Sequence, residues 1–151
     1  MQHYKMTPLS MKKTLFTFIF VAFSITLSAQ TIFGKWNSKN EDTGEIDSVI
    51  EIYKENSKAY ARVVKVMDPK RQDVICELCE GSNKGQKILG MNILDGLEKD
   101  GKEWSGGTIL DPRNGNVYKY YILLEKPNKL KIRGYIGISL FGKTAYWERA
   151  E

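Results

Sequence analysis

Histidine and cysteine are scarce in this chain: there is one histidine, His3, and there are two cysteines in 151 residues. His3 sits in an N-terminal stretch that reads as a removable leader. What remains has no imidazole for acid–base catalysis or for ligating a metal. Two cysteines make one bridge at most, which excludes a disulfide-framework miniprotein. Long apolar runs are also missing. The run Leu15 to Leu27 has 13 residues, whereas a membrane-spanning helix needs about 20. No helical stripe of useful length, internal repeat, linker or low-complexity segment is present. The Gly106-Gly107 pair has no GK[ST] after it and no strand-to-helix context, so it is not a phosphate loop. It reads instead as a bulge or a close strand approach. The composition is 42% hydrophobic, 27% charged and 11% aromatic. That excludes a disordered chain and fits one folded domain.

Residues 1–29 read as a leader. Met11-Lys12-Lys13 is a basic start, LFTFIFVAFSITL over 15–27 is the apolar middle, and Leu27-Ser28-Ala29 supplies small residues before Gln30. That order is the secretory signal peptide, with cleavage expected between Ala29 and Gln30. Residues 1–10 carry no pattern and read as a spurious upstream extension, with Met11 the true start. No cysteine follows the apolar run, so no lipid anchor is indicated and no stable membrane anchor is expected after cleavage. Removing 29 of 151 residues leaves a domain of 122, residues 30–151. It also removes Lys5, Lys12 and Lys13, so 20 basic residues face 18 acids and the net charge falls from +5 to +2. Nucleic-acid binding wants a clustered basic face, and this balance is no argument for it.

From Gln30 onward, period-two runs alternate with turn residues. The expected strands are 32–37, 46–54, 58–67, 87–94, 103–110, 117–125, 130–137 and 144–149. Asp111-Pro112-Arg113-Asn114-Gly115 is a strong turn, because proline suits its second position and glycine tolerates positive φ. About eight strands with hairpin-length links predict an all-β fold, an up-and-down antiparallel β-barrel or a sandwich. Eight strands enclose a space that side chains fill or that holds one small ligand. Residues 68–86, which carry both cysteines, form the one long connection, and such loops are often functional.

Two ends of the chain look complementary. Gly34-Lys35-Trp36 opens the first strand and Trp147-Glu148-Arg149 lies in the last. This looks like the GxW start of lipocalin-like barrels, where the tryptophan plugs the closed end and a late arginine lies over it. An indole supplies a large apolar area, and a stacked guanidinium adds roughly 0.5–2 kcal/mol. The fuller pattern adds Cys76-Glu77-Leu78-Cys79, then Trp104 to Pro112 (WSGGTILDP) with Gly115 and Tyr118. It continues with Arg133 to Gly137 (RGYIG), Leu140-Phe141-Gly142 and Trp147-Glu148-Arg149. In these motifs the chain resembles the bacterial domain-of-unknown-function family 2147, small exported proteins, over roughly residues 33–149. The resemblance implies a lipocalin-like barrel outside the cytoplasm and no particular reaction. The chain departs at Glu55-Asn56-Ser57, where such sequences often have a glycine-bearing turn.

Each candidate residue has a chemical reading and a plainer one. Cys76 and Cys79 in an exported protein should form a disulfide that shapes the long connection. The alternatives are a redox pair or a metal site. A redox pair wants an electropositive setting, and Glu77 and Glu80 flank these thiols. Two thiolates without histidine make a poor metal site. Asp111 fits the start of a turn better than a catalytic site. Trp104, Tyr118 and Tyr120 are the candidate ligand-stacking residues at the barrel mouth, although aromatics on strands often only pack. Arg62 is the candidate anion contact inside the barrel, with its direction left open because both faces of its strand are apolar, while Arg133 should face solvent. Gly34, Trp36, Trp147 and Arg149 are expected to close the barrel. No metal ligands, cofactor or nucleophile–base pairing are indicated, so nothing demands an enzyme. The expected function is a periplasmic or secreted barrel that binds a small, mostly apolar molecule. The alternative is an envelope structural or protein-interaction module with a solid barrel that works through its outer surface.

Overall fold

The computed structural model describes residues 30–151. The leader expected over 1–29 lies outside the described residues. Thr31–Glu151 forms one compact unit, and among the described residues its apolar core runs from Ile32 to Trp147.

Among the described residues nine strands follow in order: β1 Gly34–Lys39, β2 Ile46–Glu55, β3 Lys58–Val66, β4 Asn92–Asp100, β5 Glu103–Ser105, β6 Thr108–Asp111, β7 Asn116–Lys126, β8 Lys129–Tyr135 and β9 Gly142–Arg149. All pairings are antiparallel, and the sheet closes on itself because β3 pairs with β4 and β1 pairs with β9. The short strands β5 and β6 both lie between β4 and β7, so they form one interrupted stave and the barrel has eight. The interruption is Gly106-Gly107. On the β7 side one extra residue separates Trp104↔Ile122 from Thr108↔Lys119, while pairing to β4 stays in step. This is a bulge, and Gly106 has φ +84°. A Cβ on Gly107 would run into the Asp95 carbonyl, so the strands also approach closely here.

Alternation decides which residues fill the barrel. Trp36, Ile50, Ile52, Ala59, Ala61, Val63, Leu94, Leu97, Tyr120, Ile122, Leu130, Ile132 and Trp147 are all buried. Facing partners such as Trp36↔Ile50, Ile52↔Ala61, Ile122↔Ile132 and Leu130↔Trp147 point the same way and interdigitate.

Several strand boundaries differ from the sequence expectation, and two of the shifts have a visible cause. The strand expected at 87–94 starts at Asn92, because Ile88 and Gly90 are hydrogen-bonded into the preceding loop and to Val63. The strand expected to run to Gly137 stops at Tyr135, so Ile136 is 74% exposed instead of continuing the Leu130/Ile132 face. The Asn56-Ser57 turn has both residues at positive φ, +46° and +67°. That is the twist a two-residue hairpin demands, here met without glycine.

Candidate functional site

At one end of the barrel, Trp36 is fully buried and its Nε1 donates to the Ile32 carbonyl at 2.8 Å. Arg149 lies directly across the β1–β9 seam from it, with the guanidinium carbon 4.2 Å from the ring centroid. The same guanidinium donates to three carbonyls: Thr31 at 2.8 Å, Pro127 at 3.0 Å and Phe33 at 3.2 Å. It ties the entering chain to the β7–β8 hairpin. Gly34 adopts φ +121°, and a Cβ there would stand 3.0 Å from Arg149 Nη1. The glycine of the GxW motif thus leaves room for the arginine. Trp147 is buried beside Leu130 on the same inner face.

The four candidate ligand residues do not converge on a mouth. Trp104 lies towards the Trp36 end, half-buried and edge-on to Phe33 at 5.3 Å, where it packs against the core. Tyr118 is half-buried at the opposite end, where its hydroxyl accepts from Asn114 Nδ2 at 3.3 Å and Asn116 Nδ2 at 3.2 Å. Tyr120 is fully buried in the barrel, and its hydroxyl has no hydrogen-bond partner among the described residues. Burial drives that hydroxyl's pKa far above its usual value, with the Asp95 carboxylate adding to the effect. Arg62 corrects the expectation outright. Its neighbours Ala61 and Val63 take the inner positions, so alternation turns Arg62 outward. There it bonds Glu51 Oε2 at 2.7 Å and lies 5.2 Å over the Tyr53 ring.

The long connection is ordered around its cysteines. Cys76 and Cys79 are disulfide-bonded, and both are buried. Cys76 N donates to the Gln86 carbonyl at 2.9 Å, and Ile75 bridges Lys87. The disulfide packs on the 111–115 turn, with Cys76 Sγ 3.3 Å from the Pro112 carbonyl. Gly115, at φ +74°, sits where any Cβ would collide with the Leu78 carbonyl. Asp111 holds that turn. Its carboxylate accepts from the Arg113 backbone N at 3.0 Å, from Arg113 Nε at 2.9 Å and Nη2 at 3.0 Å, and from Asn114 Nδ2 at 3.2 Å. Burial of the sulfurs leaves a solvent-borne thiol little access, which favours a structural bridge. Among the described residues, no three of His, Cys, Asp and Glu gather into a metal site, and no charged residue is fully buried.

A concave feature among the described residues lies on the outer wall of the barrel. A half-open groove of about 340 Å³ follows the irregular β3–β4 seam, lined by Tyr53, Tyr60, Asn92, Asp95, Thr108 and Leu110 among others. Tyr53 and Tyr60 face each other across the β2–β3 hairpin and stack at 5.9 Å. The Tyr53 hydroxyl donates to Asn92 Oδ1 at 3.2 Å. Leu110 and Val117 supply apolar floor, while Glu55 and Asn83 add polar rim. None of these residues was a ligand candidate from sequence. The tyrosine pair carried a signal, because each ring is three residues from the Asn56-Ser57 turn and the hairpin register brings them together. Asn83, Asn92 and Thr108 arrive from three other segments and carried none.

Residues 34–149 match the family described as "Uncharacterized protein conserved in bacteria (DUF2147)". The chain belongs to this family. The match runs from the glycine of GxW to the arginine of Trp147-Glu148-Arg149, the two residues that meet over the Trp36 indole. No curated protein matches. A similar solved structure is HP1028 from Helicobacter pylori, which is described as belonging to the lipocalin family. It aligns with a TM-score of 0.70 at 19% identity, over 80% of this chain and 84% of that one. At that identity the likeness establishes the lipocalin-like barrel and nothing about a ligand.

Proposed function

We propose that this family member is an exported binding protein whose small-molecule site is the outer-wall groove. The barrel's interior is a packed apolar core where sequence reasoning had put an apolar ligand. The groove has the volume of a small-ligand site, a few hundred Å³, and the usual mix of apolar surface with a few directed polar groups. The observation that carries the reading is the stacked Tyr53–Tyr60 pair beside Asn92 and Asp95 in one concavity. Such a surface suits a small ring with an apolar face and a hydrogen-bonding edge. Export rests on the basic, apolar, small-residue order of 11–29 and on the disulfide, a bond characteristic of oxidising compartments.

The test is native mass spectrometry of protein recovered from its own host's envelope, followed by rebinding of whatever co-purifies. Bound ligand should be lost from Tyr60→Ala and Asn92→Ala and retained by Trp104→Phe. A ligand retained by both groove variants would place the site elsewhere. N-terminal sequencing should begin at or near Gln30, and finding residues 11–29 intact on the folded protein would remove the case for export. A second reading, an interaction module that works through its surface, is favoured by one specific observation, the exposed apolar loop between β8 and β9.

A further inference from the structure

Between Arg133 and Lys143 the chain has no charge: GYIGISLFG. In that segment Ile136 is 74% exposed, Ile138 60%, Leu140 74% and Phe141 73%. Four large apolar side chains within six residues make a contiguous patch of the kind that marks a contact surface. The loop is held in shape from below. Arg133 Nε donates to the Ser139 carbonyl at 2.7 Å, Nη2 to the Leu140 carbonyl at 3.1 Å and Nη1 to Thr144 Oγ1 at 2.8 Å. At its base a Cβ on Gly142 would strike the Gly134 carbonyl and come within 2.9 Å of Tyr135 Cβ. The apolar tip is therefore displayed on a fixed loop.

The wall beneath the tip has a matching chemistry. The register aligns Lys119 with Tyr135, Tyr121 with Arg133, and Lys131 with both Leu123 and Tyr146 on one outward face. Cations and tyrosines alternate there, with Lys131 5.9 Å from the Tyr121 ring centroid and Lys129 4.2 Å from that of Tyr146. Glu125 and Glu148 are engaged by Lys129 and Lys39. Lys119 and Lys131 have no carboxylate partner among the described residues.

We propose that this end of the barrel docks reversibly on an anionic lipid bilayer. The 136–141 tip inserts among the acyl chains, and the Lys–Tyr face lies against the headgroups. An apolar tip backed by basic and tyrosine side chains fits that interface on both counts. Tyrosine rings sit at headgroup depth, and cations are drawn to the negative surface potential. A protein groove would match the apolar tip but leave the free lysines unanswered. The proposal is independent of the outer-wall groove and of any ligand bound there.

The experiment is co-sedimentation of the 30–151 chain with vesicles of phosphatidylcholine alone and of phosphatidylcholine with about one third phosphatidylglycerol, a content that sets a negative surface potential. Binding should appear on the anionic vesicles and fall with salt. The Leu140→Ser/Phe141→Ser double variant should bind at least about tenfold more weakly, since it removes two inserting side chains. Lys119→Ala with Lys131→Ala should weaken binding to anionic vesicles by about 25-fold, roughly fivefold per cation near the surface. Lys119, Leu140 and Phe141 are exposed and Lys131 is half-buried on the outer face, so thermal melts should change little and show that the variants fold. Phe141→Trp should give an added emission that shifts to the blue with anionic vesicles. Absence of binding to anionic vesicles would overturn the proposal, as would binding that the tip substitutions leave unchanged. Self-association abolished by the tip substitutions, without vesicle binding, would assign the tip to a second copy and overturn it equally.

Discussion

Removing the Arg149 side chain should loosen the whole capped end of the barrel. Its guanidinium contacts four groups at once: the Trp36 ring at 4.2 Å and the carbonyls of Thr31, Phe33 and Pro127 at 2.8 to 3.2 Å. The stacking contributes roughly 0.5–2 kcal/mol. The side chain is half-buried, so water replaces part of each lost hydrogen bond, and each then counts roughly 0.5–1 kcal/mol. Arg149→Ala should therefore cost about 3 kcal/mol, which lowers the melting temperature by about 10 °C for a domain of this size. Arg149→Lys keeps the charge but not the planar fork, and should recover less than half of the loss. Equilibrium urea unfolding followed by circular dichroism gives the free energies, and Trp36 emission should shift to the red as its cover is lost. Gly34→Ala sharpens the test. Alone it strains a backbone at φ +121° and presses on Arg149 Nη1, so its cost should be smaller in the Arg149→Ala background. A loss under about 1 kcal/mol for Arg149→Ala would put it among ordinary surface changes and refute the clamp, as would full rescue by lysine.

Tyr120→Phe should leave the barrel as stable or raise its stability by about 1 kcal/mol, because it removes a buried hydroxyl with no partner. A loss in denaturant titration would mean that the hydroxyl is satisfied by an ordered water or a ligand. Ser57→Gly should stabilise by about 1 kcal/mol, since glycine takes the positive φ of the β2–β3 turn without steric cost. An unchanged unfolding midpoint would count against strain at that turn. Cys76→Ser with Cys79→Ser should cost about 2 kcal/mol, the chain-entropy value for so small a loop, and leave the circular dichroism spectrum intact. The wild-type protein should not reduce insulin, and turnover in that assay would move the pair from a structural to a redox role.

Much of the fold was legible because a strand half-buried in a barrel must alternate. Ile50/Ile52 and Leu130/Ile132 showed their inner faces directly, and the resemblance of GxW and the terminal arginine to lipocalin-like barrels foretold the closing seam. The strand after the long loop was misplaced, since Ile88 and Met91 look as strand-like as Ile93 and Leu94. Only their hydrogen bonds to Val74 and Val63 separate loop from strand there. Arg62 was ambiguous for a related reason: Val64 and Val66 make both faces of β3 apolar, and the bulge opposite Val49-Ile50 decides which one turns inward.

By itself the sequence determined the all-β class, the order of strands, the turn at Asp111 to Gly115, the pairing of Trp36 with Arg149 and the membership signalled by the GxW and WER motifs. The class, the strand order and the turn depend on local period and short-range turn chemistry, which are properties of neighbouring residues, whereas the pairing of the first and last strands and the membership came from the resemblance of the motifs. The tertiary structure decided which side chains pack into the core of the barrel, because that depends on how the eight staves bring their inward faces together. It also decided where a concavity forms. The groove joins the β2–β3 hairpin to Asn83, Asn92 and Thr108, and no sequence spacing relates those positions. The exposure of Ile136 to Phe141 was settled in the same way, since an apolar loop reads as core until the strands beside it are seen to end below it.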